Sequence, residues 1–186
     1  HWVWIETFGR VVGYDENGKP YRLAGTHRDI TAQKHAELKE TQQKQLLTFI
    51  NKVQRTFLAR RNIKEACSDI FNELLDVAKS EFGFIAQMRT HNDQEALLIH
   101  AISDISWSEE TEKFMEAFDR GELYFYSLNN LFGSVITGAK PVIANNPAKH
   151  SAATGTPKGH PPLLRFLGLP ITYNDKVRGM IGLANK

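Results

Sequence analysis

The chain has 186 residues, 41% of them hydrophobic and 24% charged, with a single cysteine. This composition excludes collagen-like, disordered and disulfide-scaffold classes, and the length predicts one ordinary domain with about 50 residues to spare. The net charge of +2, from 23 Lys and Arg against 21 Asp and Glu, is too balanced for a surface that neutralises many phosphates, so nucleic acid is not an expected partner.

No apolar run nears the roughly 20 residues that span a bilayer, so no membrane contact is expected from this segment. The lone Cys67 allows no intrachain disulfide, which predicts a reducing, cytoplasmic setting. The chain opens on His1 rather than Met and closes on an apolar run at Lys186, so both ends read as cut from something longer.

Residues 1–14 are rich in aromatic and β-branched types, and a second strand-like run follows from Tyr21 to Thr26. Between them Asn17-Gly18 offers the positive φ angles of a tight turn, which predicts a β-hairpin. Two strands alone are marginal in water, so Trp2, Trp4 and Phe8 need further strands or a partner surface to cover them.

From Asp29 to Arg61 there is no Gly or Pro, and Ala, Gln, Lys, Glu and Leu dominate. That predicts a helix capped by Asp29 or Thr31. Leu46, Ile50, Val53 and Phe57 follow the four-three-four spacing of a seam that pairs with another helix. Extended backward through Gln43, Lys39, Ala36 and Ala32, the seam becomes polar. Packing on its own domain and a dimeric coiled coil over residues 46–58 both fit this pattern.

Asn62 with Glu65 three residues later fits a capping box and restarts a helix. Its apolar face is Ile63, Ala66, Cys67, Ile70, Phe71, Leu74 and Ala78, and its end is expected near Phe82-Gly83. Residues 84–89 and 96–102 read as strands around His91-Asn92-Asp93. Ser106 or Ser108 caps an acidic helix that runs to Asp119, with Gly121 as its stop. A short strand at 123–126, a helix at 129–138 and a strand at 141–144 follow. The last two strands, 166–173 and 177–184, meet at the turn residues Asn174-Asp175. Between 145 and 160 lies an aperiodic stretch of small and polar residues, and loops above about 12 residues are commonly lids or binding loops.

Nothing in these elements assembles a catalytic constellation. Cys67 occupies an apolar helical position and reads as a buried, inert thiol. The seven histidines contain no pair at three- or four-residue spacing, which leaves only a meeting of His150 and His160 across the long loop. The run from Gly155 to His160 lacks phosphate-loop spacing. Acidic residues 109, 110, 112 and 116 read as a solvated face opposite Phe114, Met115 and Phe118. No catalytic residue and no metal site is therefore predicted. Phe125 and Tyr126, beside the helix starting near Asn129, are candidates for a pocket wall.

The segments Trp4-Ile5-Glu6, Gly9-Arg10-Val11-Val12, Asp15 to Pro20 and Gly25-Thr26-His27-Arg28-Asp29-Ile30-Thr31 resemble the last hairpin of a PAS domain. In that family the closing Asp-Ile-Thr leads into a signalling helix. Further on, Asn130-Leu131-Phe132-Gly133, Gly138 to Ile143, Gly159-His160-Pro161-Pro162, Phe166 to Ile171 and Gly179 to Asn185 resemble the GAF domain of bacterial multi-domain sensor kinases and diguanylate cyclases.

The resemblance implies an α+β fold, a six-stranded antiparallel sheet flanked by helices. It also implies three segments: a PAS hairpin at 1–31, a linker helix at 32–60 whose C-terminal half packs on the GAF domain, and the GAF domain at 61–186 with its closing helix missing. A small-molecule pocket under the loops is implied too, with Tyr126, Asn129, Asn145 and His160 at its wall and lid.

No particular cofactor follows. Cys67 on an early helix does not suit covalent bilin attachment, and one cysteine cannot run the exchange of the free methionine sulfoxide reductases. Haem or iron at His150 or His160 stays open. The expected function is a non-catalytic sensory and relay segment with an unknown small ligand. It would be a homodimer through Leu46, Ile50, Val53 and Phe57, and its parent a sensor histidine kinase of a two-component system. A diguanylate cyclase or phosphodiesterase parent, a ligand-free dimerisation module and a small-molecule enzyme are the alternatives.

Overall fold

The computed structural model describes residues 2–104, 108–156 and 160–186, and the chain divides into two compact units, His1–Thr48 and Phe49–Lys186. In the first, strands β1 (Ile5–Tyr14) and β2 (Pro20–Asp29) pair antiparallel from Ile5 opposite Asp29 to Tyr14 opposite Pro20. The hairpin loop is wider than the expected two-residue turn. Only Gly18 takes a positive φ (76°), because the Asp15 carboxylate accepts the N–H groups of both Asn17 and Lys19 at 2.9 and 2.7 Å and organises a longer loop. Trp2, Trp4, Phe8, Tyr14, Tyr21 and Leu23 are exposed on this ribbon.

Helix α1 (Thr31–Ala59) follows directly. Asp29 is its capping acceptor, taking the Thr31 N–H at 2.8 Å; the Thr31 side chain first, and this N–H second, hold the carboxyl below its ordinary pKa. The Thr31 hydroxyl in turn accepts the Trp4 N–H at 2.9 Å, tying the start of the helix to the ribbon.

The second unit takes the last part of α1 and adds α2 (Ile63–Ala78), β3 (Phe82–His91), β4 (Gln94–Ile102) and α3 (Glu109–Asp119). It continues through β5 (Tyr124–Phe125), α4 (Leu131–Gly138), β6 (Val142–Ala144), a 3-10 turn at Pro147–Lys149, β7 (Phe166–Tyr173) and β8 (Lys176–Ala184). The six strands form one antiparallel sheet in the order β5-β4-β3-β8-β7-β6, the α+β architecture expected from the sequence. Helix α2 stops earlier than the predicted Phe82-Gly83. Lys79 turns left-handed (φ 55°) and its N–H bonds back to Asp76 and Leu75, which frees Phe82 to begin β3.

At the start of α2, the Asn62 side chain caps the Lys64 N–H at 2.9 Å. Ser108 caps α3 in a reciprocal capping box with Thr111, and the other candidate, Ser106, lies outside the described residues. Asn92-Asp93 and Asn174-Asp175 both take positive φ, the mirror-image turns that suit the twist of antiparallel strands.

Successive residues of β3 serve opposite faces of the sheet. Phe84 and Ala86 join Leu97, Ile99, Val135, Phe166 and Met180 in one core, while Ile85 joins Ala101, Phe49, Cys67, Ile70 and Phe71 in the other. Between β3 and β4 the register passes from Ile85 opposite Ala101 to Ala86 opposite Ile99, so His100 is the extra residue of a bulge. Among the described residues, no helix is long and apolar enough to cross a membrane.

Candidate functional site

On the Phe84 face of the second unit lies a cavity of about 740 Å³. Glycines explain how its walls approach one another. A Cβ on Gly182 would sit 2.4 Å from the Phe84 ring, and one on Gly168 would sit 2.4 Å from the Val135 side chain, so bare backbone on β8 and β7 makes room for a ring and for α4. At Gly133 a Cβ would fall 1.5 Å from the Leu128 carbonyl oxygen. Without that side chain, the turn before α4 folds flat against the first turn of the helix. Asn130 fastens it, accepting the Gly133 N–H and donating to the Ser127 carbonyl, each at 3.0 Å.

This packing places Phe132 among three other rings. Its centroid lies 4.8 Å from Phe84 at 71°, 5.8 Å from Phe166 and 6.0 Å from Phe125 at 16°. Such edge-to-face and offset arrangements suit the ring quadrupoles. Phe114 and Thr111 close the α3 side, and Ala153, Thr156 and Leu163 come from the long loop. Toward β5, Tyr124 and Tyr126 line the space. His91 stacks on Tyr124 at 4.2 Å, and its Nδ1 is 2.6 Å from the Tyr126 hydroxyl.

Of the residues singled out as pocket walls, Tyr126 and His160 line the cavity, as does Phe125. Asn129 and Asn145 are exposed and do not line it. The neighbouring Asn130 takes the capping position, and Ala144 is the inward residue at the end of β6. The four residues of the helical seam separate in the structure. Val53 is half-buried against the core of Ile70 and Ile85, whereas Leu46, Ile50 and Phe57 are exposed at 48%, 42% and 43%. The residue α1 buries is Phe49, one position off the seam.

The long loop is locally organised. His150 accepts the Ala152 N–H at Nδ1 (3.1 Å), and the 3-10 turn precedes it. His160 Nδ1 lies 2.6 Å from the Pro161 carbonyl, while Pro157, Lys158 and Gly159 lie outside the described residues. Among the described residues, no group of three or more His, Cys, Asp or Glu is placed to hold a metal ion. Glu109, Glu112 and Glu116 on α3 are exposed, and the Glu110 side chain lies outside what is described.

A second, open cavity of about 660 Å³ borders Lys64, Asp69 and His100 on the opposite face of the sheet. Its cations already have partners. Arg60 pairs with Asp69 at 2.7 Å, and Lys64 donates to the Phe118 and Asp119 carbonyls at the end of α3, at 2.5 and 3.0 Å. Burial raises the Cys67 thiol to about 11, which leaves it un-ionised and unreactive at neutral pH.

A six-stranded antiparallel sheet, with α2 and the end of α1 packed on one face and α3, α4 and an aromatic cavity on the other, defines an α+β domain class. The family model for the GAF domain matches residues 60–186, and the chain belongs to that family. A curated relative, the methyl sulfide methyltransferase-associated sensor of Methanosarcina acetivorans, is 26% identical over 183 residues, which is 98% of this chain and 17% of the relative. The chain thus spans about a sixth of that sensor's length.

The GAF domain of a phosphoenolpyruvate-protein phosphotransferase from Coxiella burnetii superposes with a TM-score of 0.60 at 15% identity, over 76% of this chain and 78% of its own. The corresponding Acinetobacter domain gives 0.55 at 22%, over 77% of each. At these identities the two structures speak for the fold.

Proposed function

We propose that this chain is a non-catalytic sensory and relay segment of a longer cytoplasmic signalling protein, with a sensor histidine kinase as its parent. The GAF cavity takes a small ligand, and helix α1 carries the response as part of a homodimer. One observation carries this reading: Phe84 lines the cavity, and Ile85, the next residue on the same strand, packs in the core that holds Phe49 of α1. A ligand that repacks Phe84 shifts β3, and with it the seat of α1. The coupling is reciprocal, so pairing of α1 with a second copy also biases the cavity.

The relative's name as a sensor supports the class of function. The ribbon supports the longer parent, since its exposed tryptophans need cover and suit the closing strands of a PAS sheet.

Oxidative cross-linking tests the dimer. Leu46→Cys, Ile50→Cys and Phe57→Cys are expected to give covalent dimers, whereas Thr48→Cys and Arg55→Cys, on another side of the helix, are not. The native thiol of Cys67 is buried and stays silent. Equal cross-linking at all five positions, or none at any, would rule out pairing through this face.

A further inference from the structure

The chemistry of the cavity wall narrows what the ligand can be, given the reading that the cavity binds one. Among the described residues, no Asp, Glu, Lys or Arg lines it. The polar groups that do line it are largely committed to the protein. Asn130 is bonded at both ends of its amide, the Ser103 hydroxyl accepts the Gly83 N–H at 2.9 Å, and Tyr126 is tied to His91. A charged ligand entering such a space loses its hydration and meets no Asp, Glu, Lys or Arg among the described lining residues. The rings of Phe84, Phe125, Phe132 and Phe166 instead offer π faces and edges to a flat guest.

One feature points the other way. The first turn of α4 reaches the cavity through Leu131 and Phe132, whose N–H groups have no acceptor among the described residues. A helix N-terminus attracts negative charge, but it carries only about half an elementary charge, too little to offset burial of a whole one.

We propose that the cavity selects an uncharged, flat aromatic molecule, seated among the phenylalanine rings.

Two fluorescent probes with the same fused-ring skeleton test this on the full chain. N-phenyl-1-naphthylamine is neutral, and 8-anilinonaphthalene-1-sulfonate differs from it by one sulfonate. The neutral probe is expected to bind with one-to-one stoichiometry, about tenfold or more tighter than the sulfonate, the discrimination due to an unpaired buried charge. Ala153→Phe, which adds a ring to the lining, is expected to weaken the neutral probe severalfold. Thr154→Arg, an exposed loop position on the same lining, is expected to narrow the gap between the probes by supplying a cation.

Equal or tighter binding of the sulfonate to the unmodified chain, lost in Ala153→Phe, would overturn the uncharged class while leaving a ligand-binding cavity in place. Binding of both probes left unchanged by Ala153→Phe, or no binding of either to the unmodified chain, in protein whose thermal melting stays cooperative, would remove the cavity itself as a binding site and the sensory reading with it.

Discussion

His100 shows how one residue links the fold to solution conditions. The residue is 6% exposed, and its Nε2 lies 3.0 Å from the side-chain amide oxygen Oε1 of Gln87. Burial first, then the positive charges of Arg89 and Lys64, hold its pKa below the ordinary 6.5. The unfolded chain therefore takes up a proton that the folded chain resists. Stability is complete above about pH 6.5 and declines as the pH falls toward the depressed folded value. Thermal melting is expected to be flat near neutrality and to drop below about pH 6.5, with His100→Gln showing a shallower decline. Identical slopes in the two proteins would assign the acid sensitivity elsewhere.

Asn185 shows a second kind of residue, one whose bonds tie distant segments together. In the structure its side chain accepts the Leu164 N–H at 2.9 Å and donates to Glu81 and the Pro162 carbonyl, both at 3.0 Å. It clamps the end of β8 to the segment that leads from His160.

At the scale of elements, α1 is the instructive case. Its composition made the helix legible over its whole length, and the apolar positions 46, 50, 53 and 57 stood out as a seam. The structure buries Phe49 instead, at 9% exposure, and leaves three of those four outside. The apolar band on this helix also includes Leu47 and Leu58, and periodicity alone cannot say which edge of so broad a band meets the protein's own sheet. Phe49→Ala is expected to cost about 3 kcal/mol in urea unfolding, as for other buried phenylalanines, whereas Leu46→Ala should stay within about 0.5 kcal/mol. Equal costs would mean that Phe49 does not anchor the helix. The short α4 was easier to read, since the expected helix at 129–138 lies within two residues of the observed Leu131–Gly138, but the aromatic cluster it supports was not. Phe84 and Phe132 are 48 residues apart in sequence, and only the facing glycine at 182 hints that a ring lies over β8.

Across the whole molecule, the two units differ in what holds them. The sheet unit has two apolar cores, while the ribbon exposes its large side chains. Native-state hydrogen exchange is expected to find the β1 and β2 amides opening at low free energy and those of β3 and β8 exchanging only with global unfolding. Ribbon amides as slow as those of Ala86 or Met180 would mean that something covers the ribbon in solution. The order of strands and helices and most turns were legible because they depend on neighbours in sequence, whereas the α+β class followed from the resemblance to a GAF domain. The cavity depends on where distant glycines and rings meet.

The bulge at His100 fixes the parity of strand β4. Before it, Leu97 and Ile99 face the cavity side; after it, Ile102 does so, an odd step away that a regular strand would send to the other face. One residue thus acts as a phase shifter for the strand. Loss of a single codon there would exchange inside for outside over one end of β4, a larger change than any substitution at the same place, and related chains can vary in residue type at this position far more freely than in length.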